Sequence, residues 1–144
     1  MRSILITCLL LAAGNTITMA QCDKKVALTS SKTQHLDAQG NVSGVDEKKT
    51  IVEFNKSDIN VTVSGDNGEH SLTGKVNSTE CNWKRPFKDG ETKLMVTLSN
   101  ANDETRHFNM VLTGKDGKVT LTVLNKDEPG DILRLDIEKF EEKK

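Results

Sequence analysis

The stretch Arg106 to Leu124, RHFNMVLTGKDGKVTLTVL, constrains this chain more than any other. At its centre stands Asp116-Gly117, a pair that favours a type I′ turn because both central residues of such a turn need φ > 0. With those two residues as the loop, Lys115 faces Lys118, Gly114 faces Val119, Leu112 faces Leu121 and Met110 faces Val123. The last three pairs share one face with Phe108, while the other face sets Thr113 against Thr120 and Val111 against Thr122. A three-residue loop would place Leu112 against Thr120 and mix the faces, which is costly wherever one face is buried. Turn chemistry and apolar pattern agree on one β-hairpin.

The same two-residue period recurs along the chain. A first strand is expected over Lys25–Leu36, a polar loop over Asp37–Lys49, and a strand over Thr50–Phe54 with Val52 and Phe54 on one face. Ile59, Val61 and Val63 form the next apolar row, and Leu72, Gly74 and Val76 another. Cys81 and Trp83 follow on a separate strand, then Leu94, Val96 and Leu98, the hairpin, and Leu133, Leu135 and Ile137. Clusters of Asn, Asp, Ser, Gly and Pro stand between nearly all of them as turn signals. Ile137 to Phe140 could close in a single helical turn, and Glu141 to Lys144 reads as a frayed end. No segment sustains a helical period. One apolar row per strand, with polar residues opposite, suits an antiparallel sheet buried on one side. Closing that sheet into a barrel, or folding it over as a sandwich, would hide the inner rows.

Residues 1–20 have the plan of a secretion signal. Arg2 is basic, Ile4 to Ala13 is apolar, and Thr18-Met19-Ala20 resembles a small-residue cleavage site. The apolar run is too short for a membrane span, which needs about 20 such residues. The domain is then 21–144, soluble after cleavage and secreted or periplasmic. Loss of Arg2 leaves 19 basic residues against 21 acidic ones, a formal charge of −2. No basic surplus exists to attract nucleic acid, and the aromatic residues are too few and scattered for base stacking.

Cleavage also removes Cys8, leaving Cys22 and Cys81 in an oxidising compartment where an even count favours pairing. A Cys22–Cys81 disulfide would stabilise the fold by about a few kcal/mol, mainly by restricting the unfolded chain. The alternative is two separate thiols.

Motifs for chemistry are missing. His35, His70 and His107 show no metal-ligand spacing, and His35 and His107 fall on polar faces in this register. No Gly-x-Ser-x-Gly elbow is present, and Thr73-Gly74-Lys75 lacks the first glycine and the hydroxyl residue of a phosphate loop. The acidic residues fall in turns or on polar faces rather than as a convergent pair. The pattern implies no enzyme, no cofactor and no metal. Trp83-Lys84-Arg85-Pro86-Phe87 is the one aromatic and basic cluster; it reads as a core tryptophan at a strand end, or as the rim of a ligand mouth or partner contact. Asn41, Asn60 and Asn77 begin Asn-x-Ser/Thr sequons.

The chain resembles the lipocalin-like domains of small secreted bacterial proteins. The resemblance rests on Lys25-Val26-Ala27-Leu28-Thr29-Ser30-Ser31 soon after the leader, the loop Asp37-Ala38-Gln39-Gly40, and the strand Gly74-Lys75-Val76. Cys81-Asn82-Trp83 and the Gly114–Lys118 turn complete it. Lys24 and Val26 stand where the family has Gly and Trp, and Arg134-Leu135-Asp136 lacks the tyrosine of the Arg-x-Tyr pair in related intracellular fatty-acid carriers. The resemblance implies an antiparallel up-and-down β-barrel of about eight or nine strands, binding a small apolar ligand inside and performing no catalysis. Phe54, Trp83, Phe108, Met110 and Leu121 are the candidate cavity-lining residues, and they would serve equally as core. The alternative is a β-sandwich module that contacts protein or glycan through its loops. An immunoglobulin domain fits less well, because Trp83 follows the second cysteine instead of lying between the two.

Overall fold

The computed structural model describes residues 24–143. The expected signal segment and Cys22, half of the expected disulfide, lie outside the described residues. Among the described residues the fold is all-β: β1 (Lys25–Ser30), β2 (Thr33–Leu36), β3 (Val42–Asp46), β4 (Lys49–Phe54), β5 (Asp58–Gly65) and β6 (Gly68–Arg85) come first. β7 (Asp89–Ser99), β8 (Thr105–Lys115), β9 (Lys118–Asn125), β10 (Ile132–Ile137) and β11 (Lys139–Lys143) complete it.

The central hairpin has the expected register. Lys115 pairs with Lys118, Leu112 with Leu121 and Met110 with Val123. Asp116 and Gly117 have φ of 53° and 84°, the left-handed pair that a type I′ turn requires. Four other turns share a different device, an Asx side chain that accepts from amides ahead of it. Asp37 Oδ1 accepts from the Gln39 and Asn41 amides at 3.0 and 2.8 Å, and Asn55 Oδ1 from Ser57 and Asp58, both at 2.8 Å. Asn100 and Asn125 do the same after β7 and β9.

Every strand pairing is antiparallel, and from β4 to β10 each strand pairs with the next. The ends of the sheet are joined by two bent segments. Residues 25–36 hold β1 and β2, residues 132–143 hold β10 and β11, and the two segments run against each other in one constant register. Lys25 pairs with Lys143 at one end of this ladder and Leu36 with Ile132 at the other. The ladder is interrupted at Ser31, where the Glu138 amide still donates to Thr29 O at 2.9 Å and Ser31 Oγ to the Glu138 carboxylate. β1 also pairs with β4, and β10 with β9, so the up-and-down sheet curls into a barrel. Counting each bent segment once, with β3 and β4 as a third, eight strands surround the interior.

Several local expectations need correction. The first strand breaks after Ser30, whose hydroxyl donates to Lys32 O at 2.8 Å and turns the chain. The polar loop expected over Asp37–Lys49 contains β3, hidden in the sequence because both its faces are largely exposed. Leu72–Val76 and Cys81–Trp83 belong to one 18-residue strand, β6. A bulge at Asn77 shifts its inward row from even to odd residues, so the phase change is not a strand boundary. Finally, Lys139–Lys143 is neither helical nor frayed: β11 gains a full partner in β1.

Candidate functional site

The interior is filled unevenly. At one end Trp83 is 1% exposed, and its indole N–H donates to Thr92 Oγ1 at 2.7 Å. Phe87 packs on it with ring centroids 5.8 Å apart and is covered in turn by Phe140 at 4.2 Å. Phe54, Leu112 and Val26 fill the same end and leave a void of only about 20 Å³, room for about one water. Glycine makes this packing possible, because a methyl group on Gly114 would come within 2.5 Å of Trp83 Cζ3. The neighbouring turns are tied together there. The Asp116 amide donates to Asp89 Oδ1 at 3.1 Å and the Gly117 amide to Lys88 O at 3.3 Å.

Toward the other end the inward residues become smaller. β4 contributes Thr50 and Val52, β5 Val61 and Val63, and β9 Leu121 and Val123. Phe108 and Met110 of β8 face them, with Leu72, Leu98, Leu133 and Leu135 between. β-Branched side chains on these walls do not reach the centre. They enclose a cavity of about 250 Å³ lined almost entirely by hydrocarbon. Apolar cavities of about 150 Å³ stay dry and take up benzene or xenon, so this one has room for a small apolar molecule.

Polar groups gather where the cavity opens. Thr33 and His35 of β2, Asp46 of β3 and Lys48 line its mouth. His35 Nε2 and Asp46 Oδ2 are 2.7 Å apart. That hydrogen bond, and then the charges of His35 and Lys48, hold the Asp46 carboxyl below its ordinary value. Among the described residues, no three of His, Cys, Asp and Glu are grouped to hold a metal ion.

Of the five candidate lining residues, Phe108, Met110 and Leu121 lie on the cavity wall. Phe54 and Trp83 instead belong to the packed end. The Trp83–Phe87 cluster is therefore remote from the mouth: β7 and β8 carry Gly90 and Gly114 at the Trp83 end, and Leu98 and Phe108 at the cavity end. His35 is not on an outer polar face, because the break after Ser30 turns β2 so that Thr33 and His35 line the mouth. Lys48 and Asp46 were concealed in the supposed loop. Their one signal was the Asp37–Gly40 turn composition, which marks a tight hairpin and so a returning strand.

No family model matches the chain, and neither a curated protein nor a solved structure does.

Proposed function

We propose that this protein is a secreted or periplasmic, non-catalytic lipocalin-like carrier that binds one small apolar molecule inside its barrel. The observation that carries this reading is the void of about 250 Å³ with apolar walls, open at one end and backed by the packed Trp83–Phe87 end. A domain selected only for stability gains by filling such a space, since lost contacts cost stability in proportion to the volume left empty. The volume is at the lower limit of ligand pockets, which run from about 300 to 1,000 Å³, and so favours a small ligand. A module binding through its loops would have no use for the void. The reading includes cleavage after residue 20 and a Cys22–Cys81 bridge. Intact mass measured without reductant, before and after thiol alkylation, tests both: two alkylated cysteines in the mature chain would remove the bridge.

Trp83 sits at the packed end and is a poor reporter of ligand, so an external probe is needed. The neutral dye N-phenyl-1-naphthylamine should bind saturably at one site per chain. In Val61→Phe the added ring occupies the cavity, and dye binding should fall by about tenfold or more while the chain remains folded, since the ring fills existing space. Absence of saturable binding, or equal binding by V61F, would end the carrier reading.

A further inference from the structure

We propose that Lys48 makes the cavity selective for small amphiphiles with an acidic head group, held at the mouth while the apolar tail fills the interior. This rests on the carrier reading above and goes beyond it in naming the ligand class.

The cavity wall carries three ionisable residues, and all of them stand at the mouth: His35, Asp46 and Lys48. Two are occupied with each other, His35 Nε2 and Asp46 Oδ2 being 2.7 Å apart. Among the described residues Lys48 makes no ion pair and no side-chain hydrogen bond. The Lys48 ammonium stands at the mouth of a hydrocarbon cavity; its charge acts on the Asp46 carboxyl, but that carboxyl's direct hydrogen bond goes to His35, so a ligand head group can be the direct partner of the ammonium. Its stem supplies apolar wall and its end stays at the water boundary, as long cationic side chains commonly do.

Its position is supported by the neighbouring strand. Gly65 closes β5 without a positive φ, so turn geometry does not demand glycine. A methyl group there would come within 3.2 to 3.3 Å of Lys48 Cγ, Cδ and Cε. The missing side chain at 65 is the seat on which the lysine stem lies. A second cation adjoins the same wall: Arg106 shares a recess with Leu72, Leu98 and Phe108, all three of which also line the cavity. Glu104 lies in that recess and accepts a hydrogen bond from Asn100 Nδ2 at 3.2 Å, while Arg106 has no ion-pair partner among the described residues.

An ammonium is a point charge without the fork that fits a particular oxyanion, so the class is a single acidic head group, carboxylate or sulfate, on a short tail. At about 30 Å³ for each water-sized group, the cavity accepts roughly eight of them. Octanoate and 1-octanol are matched probes that differ in the head.

Each is titrated as a competitor against bound N-phenyl-1-naphthylamine near neutral pH, with the protein as wild type, Lys48→Gln and Lys48→Arg. Octanoate should displace the dye at about tenfold lower concentration than 1-octanol, the worth of one charge-assisted contact at a partly exposed rim. Added salt should erode that preference. K48Q should abolish it while leaving 1-octanol within about twofold, which also shows that the variant is folded, and K48R should keep it. Dye uptake with equal displacement by the two probes, or a preference that survives in K48Q, overturns this inference and leaves the carrier reading standing. No saturable dye uptake by the wild type overturns both.

Discussion

The indole N–H of Trp83 donates to Thr92 Oγ1 at 2.7 Å across the β6–β7 pair, and both residues are buried. The same hydroxyl lies 3.7 Å from Cys81 Sγ, toward which it donates. Thr92 is thus a buried polar residue with a reason: it satisfies the polar atom of the large side chain that closes the barrel. Thr92→Val keeps the shape and leaves the indole unpaired. It should cost about 1–3 kcal/mol in urea unfolding, with Thr92→Ser retaining most of the stability. Equal stability of T92V and wild type would mean that the bond contributes nothing.

The approach of Gly114 to the same ring makes a second prediction. A methyl group at 114 would stand 2.5 Å from Trp83 Cζ3 and 3.2 Å from Lys88 O. Gly114→Ala should destabilise by about 1–3 kcal/mol through overpacking. Gly44→Ala is the control, since nothing lies within 4 Å of that position and its φ is not positive. It should stay within about 0.5 kcal/mol of wild type, as surface substitutions generally do. Chemical denaturation of the two variants side by side decides it.

Phe87 combines a buried ring with a backbone at φ 57°, following Pro86 in a turn closed by the Lys88 amide donating to Arg85 O at 3.0 Å. Burying the ring offsets the backbone cost. Phe87→Ala loses the ring and keeps the left-handed backbone, at about 3–5 kcal/mol. Phe87→Gly loses the same ring but relieves about 1 kcal/mol of that backbone cost. Thermal unfolding should therefore rank F87G above F87A, the reverse of the order at an ordinary strand position.

Asp89 links the β6–β7 turn to the β8–β9 turn. The Asp116 amide first, and then the Arg85 guanidinium, hold its carboxyl below the ordinary value of 3.8. A carboxyl with a lower value in the folded state than in the unfolded one stabilises the fold above its unfolded value. That contribution disappears as pH falls through the folded value. Asp89→Asn should be less stable than wild type near neutral pH, and the difference should close in acid below 3.8. Denaturation midpoints for both proteins across that range provide the measurement. A constant gap would assign the loss to packing instead of charge.

Much of the fold was legible where chemistry is local. Asp116-Gly117 specified its own turn, and the rows through Leu112 and Leu121 followed because alternate residues must face one way. The misreadings occurred where neighbours decide the outcome. β3 has no buried row to advertise it, and β11 is a strand because β1 offers it a ladder. The bulge at Asn77 moved a buried row from one parity to the other, which in one dimension looks like a strand ending. Within the candidate site, Phe108, Met110 and Leu121 were legible as inward residues, whereas Lys48 was not.

By itself the sequence determined an all-β chain, most of its turns and the main inward apolar rows, since period-two burial and turn chemistry act over a few residues. Only the tertiary structure decided that residues 25–36 meet residues 132–143 to close the ring. It alone also decided that Trp83 and Phe87 fill one end while valines leave the other empty. A cavity is the difference between the space that strands enclose and the volume their side chains occupy. The second quantity is written residue by residue; the first exists only when distant strands pair.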